Sequence, residues 1–526
     1  MSHLNFYTKK PHWLLLPLVS GVLMALSFYP FGASPLIFVA FAPLIYFAIG
    51  MPERTTRELF IGGLIAGSIS ALSFSYPFFA QFHWIKETYL FETIVRLFFI
   101  PAAIIGGLSF GVITIITRLL LTRWAAFNAL IFSTLFALWL LVFQLSIDGF
   151  NYFDPAFAAA SAPVLIKFAG IGGTPLVTLI ILLTNSFFAL FFLAENKKKF
   201  FFGTAGIIAI FTIGLLAHER YLRGGGAGEA IIKTVPIAII QISDRRDEAF
   251  GFVKDESFQY PLLERRIKEA VSTGAELIIY PFSPVSGAIA INGIDAAFNK
   301  KVLVTDVDTF GAWVKKNVPE NTVFLTWNSI YENGAFFNEY SFWKNGELHK
   351  RYQKRQPLPF ADYTPSWAAK KGFYTTPFDV KTGSITDQVS LGDYSVGNLI
   401  CSEVGDRELA RDDALTAAFI IAGGSDAMFA GDVAGRVNLI QAQYRAAENN
   451  IPVIRANRLG PSAFIGPDGA IVSKIEYNKD GVLFGEMAPG NGKKTIYARF
   501  GDTPLLVFIG LIILLAVYFR TKKTRA

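Results

Sequence analysis

The stretch LGDYSVGNLICSEVGDRELARDD, residues 391–413, decides how the chain is read, because it carries Cys401, the single cysteine among 526 residues. One cysteine cannot close an intrachain disulfide, so the thiol is either a small buried hydrophobe or a reactive group. The apolar run VGNLI ahead of it has the character of a strand, and strand ends in layered α/β domains present side chains to a crevice. Glu403 and Asp406 follow closely. A carboxylate raises a thiol's pKa, so a reactive Cys401 calls for a cation nearby.

Working outward, residues 223–500 hold short β-rich apolar runs: VPIAIIQIS, AELIIYPFS, TVFLTWNSIY, YSVGNLICS, AAFIIAGG and IPVIRANR. Helical or polar segments such as YPLLERRIKEAVSTG separate them, and strands alternating with helices predict an α/β layered domain. GGGAG after Arg223 reads as a flexible joint in front of it.

The flanking sequence is of another kind. Hydrophobic residues make up 52% of the chain and charged residues 17%, with 51 phenylalanines, a balance that puts much of it in lipid. Runs of spanning length at 13–30, 33–50, 58–80, 92–117, 125–146, 173–194, 200–217 and 503–519 predict about eight transmembrane helices. The expected division is a membrane domain over 1–222 with seven helices, a soluble domain over 223–500, and a last helix with a basic tail over 501–526. No small-residue cleavage site follows Lys9 and Lys10, which predicts an uncleaved first span. Arg54 and Arg57, Arg118 and Arg123, Lys197, Lys198 and Lys199, and the tail RTKKTRA fall on one side of the predicted membrane. By the positive-inside rule they are cytoplasmic with both termini, and 223–500 lies outside the cytoplasm. This also accounts for the net charge of +7 without a nucleic-acid partner. Charges inside the spans, such as Arg96, are too sparse for an ion path.

Four further features have bland readings of their own. The histidines at 3, 12, 83, 218 and 349 lack paired ligand spacing, so no metal is expected. His349 leaves a Cys–His pair open as a weak alternative, and the pair Gly423 and Gly424 reads as a turn. HKRYQKRQPLPFADYTP (349–365) is either a solvated basic stretch or the source of an oxyanion-stabilising lysine. In QAQYRAAENN, Arg445 and Glu448 are three apart on a predicted helix, the spacing of a surface ion pair.

Taken together, these segments resemble the apolipoprotein N-acyltransferases. YQKRQPLPFADYTP is similar to the family's Tyr-x-Lys-x-x-Leu-Val-Pro-Phe-Gly-Glu-Tyr-x-Pro, which places the catalytic lysine on Lys354 and puts Asp362 where the family has a second glutamate. ICSEVGD resembles Ile-Cys-Tyr-Glu-x, with the nucleophile on Cys401 and a neighbouring carboxylate on Glu403. SDAMFAGD resembles the loop Asn-Asp-Ala-Trp-Phe-Gly, and QAQYRAAENNIPVIRANRLGPSAFI the Arg-Ala-x-Glu helix and its strands. FYPFGASPLIFVAFAPL and FHWI match the membrane half. One departure stands out: the block like Leu-Val-Val-Trp-Pro-Glu-x-Ala reads ELIIYPFSPVSG here, with Phe282 at the position of the catalytic glutamate.

The resemblance implies an α-β-β-α nitrilase-like domain on a monomeric, multi-pass protein of the cytoplasmic membrane, with no cofactor. It implies acyl transfer from a phospholipid, through a Cys401 thioester, to the α-amine of a diacylglyceryl-cysteine lipoprotein. General-base help is worth about 10²- to 10⁴-fold, so Phe282 implies an impaired reaction, or a base relocated to Asp362 or Glu403. The alternatives are a pseudoenzyme that binds lipid or lipoprotein without turnover, and a membrane-tethered amide hydrolase.

Overall fold

A computed structural model describes residues 11–28, 31–80, 89–146, 154–194, 197–223, 233–243, 259–283, 288–291, 304–359, 361–370, 379–387, 389–391, 393–425 and 431–523. The joint at 224–228 lies outside the described residues.

The described elements of the apolar half are all helical: α1 Leu15–Ser27, α2 Ile37–Ala40, α3 Ala42–Gly50, α4 Thr56–Ala80, α5 Tyr89–Leu119, α6 Ala125–Ser146, α7 Pro155–Ala158, α8 Pro163–Leu193 and α9 Lys197–Arg223. Among the described residues five helices are long and apolar enough to cross a membrane. The expected span at 33–50 is broken between α2 and α3. Asn185 of α8 mends the break: its Oδ1 accepts the N–H groups of Phe41 and Ala42 at 2.8 and 3.1 Å, and its amide donates to Ile37 O at 2.8 Å. Freed backbone groups in an apolar setting need such a partner. Helices α4 and α5 pack so closely that a Cβ on Gly67 would sit 2.2 Å from Gly106 O, the small-residue contact that lets membrane helices approach.

The span expected at 173–194 is the second part of a longer helix. At Gly172 (φ −151°) and Gly173 (φ +70°) α8 leaves helical geometry, with Pro175 just beyond. The first part, from Pro163, covers sequence expected as loop.

Beyond α9 the chain builds two sheets. The first contains β1 Val235–Gln241, β2 Leu277–Tyr280, β3 Ala288–Ile291, β4 Val304–Asp306, β5 Val323–Glu332, β6 Ala335–Lys344 and β7 Glu347–Gln353. The second contains β8 Val389–Leu391, β9 Tyr394–Ile400, β10 Phe419–Gly424, β11 Val453–Asn457, β12 Ser462–Ile465 and β13 Ile471–Ile475, and β14 Gly481–Met487 returns to pair with β1. Strands β1, β2 and β5 run parallel, as do β9, β10 and β11. The six expected strand runs all lie here. Helices α10 Gln259–Ser272 and α11 Val307–Asn317 carry Leu263, Ile267, Phe310 and Val314 into the core on one outer face. α12 Ser366–Lys370 is a short loop helix, and α13 Arg407–Thr416 and α14 Val433–Asn449 cover the other face through Ala410, Ala414 and Ala442. Between the sheets lie Ile237, Ile279, Phe342, Ile400, Ile421 and Ile454. The result is four layers, α-β-β-α, the nitrilase fold.

The basic stretch expected as solvated is β7. Two Asn-Gly turns, with positive φ at Asn333, Gly334, Asn345 and Gly346, fold β5, β6 and β7 into consecutive hairpins. The chain closes with α15 Ile496–Phe500 and the apolar α16 Thr503–Lys523.

Helix α14 belongs to both halves. One face meets the second sheet, while Ala434, Val437, Tyr444 and Ala447 join the core of the apolar helices. Tyr444 Oη donates to Ala156 O at 2.7 Å.

Candidate active site

Strand β9 ends at Ile400, and the chain turns at once into a single 3₁₀ turn, Cys401–Gly405. Cys401 has φ +55°. Holding a residue with a Cβ in that region costs about 1–3 kcal/mol and persists only where neighbours over-determine it. The adjacent strand leaves room for this turn, because a Cβ on Gly424 would lie 3.0 Å from Cys401 Cα and 3.3 Å from its Cβ. Gly423 in turn leaves space for Tyr340, whose Oη donates to Leu399 O at 2.9 Å. A Cβ at 423 would be 2.6 Å from that oxygen. The glycine pair expected as a turn is therefore the end of β10, and close approach rather than reversal of the chain requires it.

Lys354 follows β7 directly and is 1% exposed. Its Nζ lies 2.6 Å from Asp362 Oδ2. Burial works against the charge on Lys354, but the Asp362 carboxylate and the Cys401 sulfur outweigh it and raise the pKa above the lysine norm. Asp362 Oδ2 also accepts the Leu358 N–H at 2.6 Å, and Oδ1 accepts from Asn338 Nδ2 at 2.6 Å. These contacts bring two of the expected site residues into one ion pair within electrostatic reach of the Cys401 sulfur.

Glu403 is fully buried. Its Oε1 accepts the N–H groups of Arg355 and Gln356 at 2.6 and 3.1 Å, and Oε2 accepts Ile400 N–H at 2.8 Å and Tyr352 Oη at 3.1 Å. Burial raises its pKa although Lys354 and these donors oppose the shift. A carboxylate offers about four acceptor positions, and these four donors fill them. Glu403 thus ties the Cys401 turn to the segment that carries Lys354.

Phe282 lies two residues beyond β2, half-buried, with its ring 6.0 Å from Trp327 in edge contact. The Arg458 guanidinium sits over the ring, 4.0 Å from its centroid. Arg458 was not among the expected site residues. Ile454 and Ala456 of β11 face the other sheet, and Arg458 follows the strand in a bend. Its N–H donates to Gly424 O at 3.1 Å, one strand from Cys401.

Two other expectations change. Arg445 and Glu448, spaced as a surface pair, are both 0% exposed, with Nε to Oε2 at 2.8 Å. They are buried because α14 is covered on both faces. Arg445 Nη1 donates to Gly405 O at 3.2 Å, and Glu448 Oε1 accepts Thr174 N–H at 2.9 Å. His349 is exposed in mid-β7, five residues before Lys354. Residues 426–430 of SDAMFAGD lie outside the described residues.

Comparison with known proteins agrees with this architecture. Residues 237–497 match the Carbon-nitrogen hydrolase family, and residues 20–187 match the Apolipoprotein N-acyltransferase N-terminal domain. An apolipoprotein N-acyltransferase of Pseudomonas paraeruginosa is 28% identical over 47% of this chain and 47% of its own length. That of Rhodopseudomonas palustris is 23% identical over 96% of this chain and 94% of its own, and that of Geobacter metallireducens 25% identical over 97% and 96%. With both halves matched in order and relatives spanning nearly its whole length, the chain belongs to the apolipoprotein N-acyltransferase family.

Proposed function

We propose that this protein is an N-acyltransferase of the cytoplasmic membrane. In this reading it moves an acyl chain from a phospholipid, through a thioester on Cys401, to the α-amine of a diacylglyceryl-cysteine on a lipoprotein. The observation that carries it is the strained Cys401 turn facing the Lys354–Asp362 pair, on strand ends that α14 fastens to the apolar helices. Both substrates are lipid-anchored, so a thiol fixed to the membrane half meets them as if at high local concentration.

In the first half-reaction the Cys401 sulfur attacks the ester carbonyl. The C–S bond forms, the acyl C–O bond breaks, and Lys354 stabilises the oxyanion, a contribution of about 10²- to 10³-fold for one such donor. Of the two carboxylates that could replace a base at position 282, Asp362 keeps an acceptor position on Oδ1, whereas Glu403 holds four donors. Asp362 therefore has room for the proton that leaves the sulfur, and Lys354 beside it delivers one to the departing glyceryl oxygen. In the second half the lipoprotein amine attacks the thioester, the C–N bond forms as the C–S bond breaks, and the proton shed by the amine passes through the Lys354–Asp362 pair to the departing sulfur.

The positive loops support a topology with residues 223–500 outside the cytoplasm and both termini inside. Mass spectrometry of the purified protein incubated with phospholipid tests the function. An acyl adduct on Cys401 that passes to a diacylglyceryl-cysteine peptide is expected. Lipid binding without an adduct would instead identify a pseudoenzyme.

A further inference from the structure

Glu403 is held by four donors, and one of these is turned toward it by a partner of its own. Tyr352 Oη donates to Glu403 Oε2 at 3.1 Å and accepts from Arg355 Nε at 2.7 Å. A phenol has one proton to give, while a guanidinium only donates. With Arg355 on its lone pair, the Tyr352 proton is left for Glu403. The guanidinium also lies over the Tyr352 ring, 5.2 Å from its centroid.

Arg355 is itself fixed from α13. Its Nη1 and Nη2 reach Asp413 Oδ1 and Oδ2 at 3.0 and 3.1 Å, and Nη2 donates to Asn398 O at 3.4 Å. Asp413 Oδ2 also accepts the Asn398 N–H at 2.9 Å. The pair therefore grips β9 just before Ile400, whose N–H Glu403 holds beside Cys401. The groups around the Glu403 carboxyl come from each packed element: Lys354 and Arg355 from the segment after β7, Tyr352 from β7, Tyr340 from β6, and Cys401 from the same turn. Arg445 of α14 meets the far end of that turn at Gly405 O. Burial pushes the Glu403 carboxyl toward its neutral form, and Lys354 and Arg355 oppose this. A proton on Glu403 would take the place of one of its four donors, and on Oε2 those donors are Tyr352 and the Ile400 N–H.

We propose that Arg355 is a positioning residue for acyl transfer: braced by Asp413, it aims the Tyr352 hydroxyl and keeps Glu403 the carboxylate that holds the Cys401 turn. The proposal rests on Cys401 being the nucleophile. Arg355 stands at a position that the family's Tyr-x-Lys-x-x pattern leaves open, so the motif does not specify the brace. Its two halves are unequal. Losing either one breaks the same ion pair, but Arg355 alone brings a positive charge to Glu403, so only its loss favours a proton there. As pH falls, Glu403 without Arg355 takes up its proton sooner, and the turn loosens at a pH where the wild type still reacts.

Two measurements on the full-length protein in detergent, across about pH 4 to 8, test this. One is the rate of Cys401 acylation by phospholipid, and the other is the infrared band of the protonated Glu403 carboxyl, identified by its loss in Glu403→Gln. Arg355→Gln is expected to move the acid limb of the rate and the infrared midpoint together to higher pH. The rate on that limb should fall about tenfold more than at the plateau, the scale set by losing one nearby opposite charge. Arg355→Lys keeps the charge and is expected to return most of the loss. Asp413→Asn should lower stability as Arg355→Gln does without raising either midpoint. A folded Arg355→Gln that titrates with the wild type overturns the proposal. So does an Asp413→Asn that moves the limb up as far, because both would then act by loosening the fold alone. Should Arg355→Gln not fold, Tyr352→Phe removes the oriented hydroxyl, and an unmoved Glu403 midpoint overturns the proposal. Absence of an acyl adduct in the wild type at every pH would refute acyl transfer, and the infrared midpoint alone then upholds or overturns the brace on Glu403.

Discussion

Replacing Lys354 by methionine separates what the lysine does for the fold from what it does for the reaction. The side chain is 1% exposed and that of Asp362 11%, with Nζ and Oδ2 at 2.6 Å. Breaking a buried ion pair by removing one partner costs about 3–5 kcal/mol, because the other charge is left uncompensated. Asp362 would keep the Leu358 N–H and the Asn338 amide and some contact with water, so the cost belongs at the lower end, about 3 kcal/mol. Adding Asp362→Asn removes the stranded charge, and its single oxygen can still accept one of the two remaining donors, from Leu358 or Asn338, so part of that loss should return. Activity should behave differently. Losing the oxyanion cation costs about 10²- to 10³-fold, and the second substitution restores no positive charge. Thermal unfolding of the detergent-solubilised protein and the rate of Cys401 acylation by phospholipid measure the two effects side by side. If the double variant regained acylation together with stability, Lys354 would be a structural cation and the mechanism above would be wrong.

Other consequences follow from the same geometry. At φ +55° a glycine is at ease and alanine is not, so Cys401→Gly should be more stable than Cys401→Ala by about 1 kcal/mol, the reverse of the usual order, as read from chemical denaturation. Gly424→Ala should slow acylation and destabilise by about 1–3 kcal/mol, since the new Cβ would meet Cys401 Cα at 3.0 Å; unchanged acylation would mean the turn does not depend on that approach. Since Asp362 and Cys401 overcome burial to raise the Lys354 pKa, the folded chain binds that proton more tightly than the unfolded chain. The resulting stability is complete below the unfolded value of about 10.4 and fades as pH rises through the folded one, so Lys354→Met should flatten the alkaline limb of a stability–pH curve. Glu448→Ala should destabilise by about 3–5 kcal/mol, because it strands Arg445 in full burial, and Glu448→Gln should recover part of that loss.

How far the sequence alone reaches can be argued from particular residues. The buried parallel strands β9, β10 and β11 are legible because strands covered on both faces read as continuous apolar runs. β7 is not, because an edge strand with alternating exposure carries His349, Lys350 and Arg351 like a solvated stretch. The signal for it is the Asn345-Gly346 turn, which periodicity passes over. Cys401 and Lys354 are legible through the blocks around them. Their relation is not, since it depends on Asp362 and on two sheets packing face to face. Arg458 carries no signal in NRLGP, and its place over the Phe282 ring shows only in the fold. Arg445 and Glu448 mislead most, because i, i+3 spacing is the same whether a helix face meets water or a membrane helix.

That last pair also ties the Cys401 turn to the apolar helices. Gly405 ends the turn that begins at Cys401, and its carbonyl accepts from Arg445. Arg445 pairs with Glu448, and Glu448 accepts the N–H of Thr174, where α8 resumes after its break. Pro175 follows, and a helix restarting there has N–H groups that nothing inside it can satisfy. Glu448 satisfies one of them from the soluble domain. A second tie, Arg407 to Asp502 at 2.7 and 3.0 Å, joins the helix after the cysteine turn to the residue before α16. The break in α8 and the buried pair on α14 therefore explain each other: the first leaves a donor open, and the second closes it while gripping the Cys401 turn. A soluble thiol on a flexible tether would have to find two lipid-anchored substrates by diffusion. Here the hydrogen-bonded path from the Cys401 turn to Thr174 fixes that turn relative to the apolar helices, so in the proposed reaction the membrane half would set the geometry as much as the sandwich.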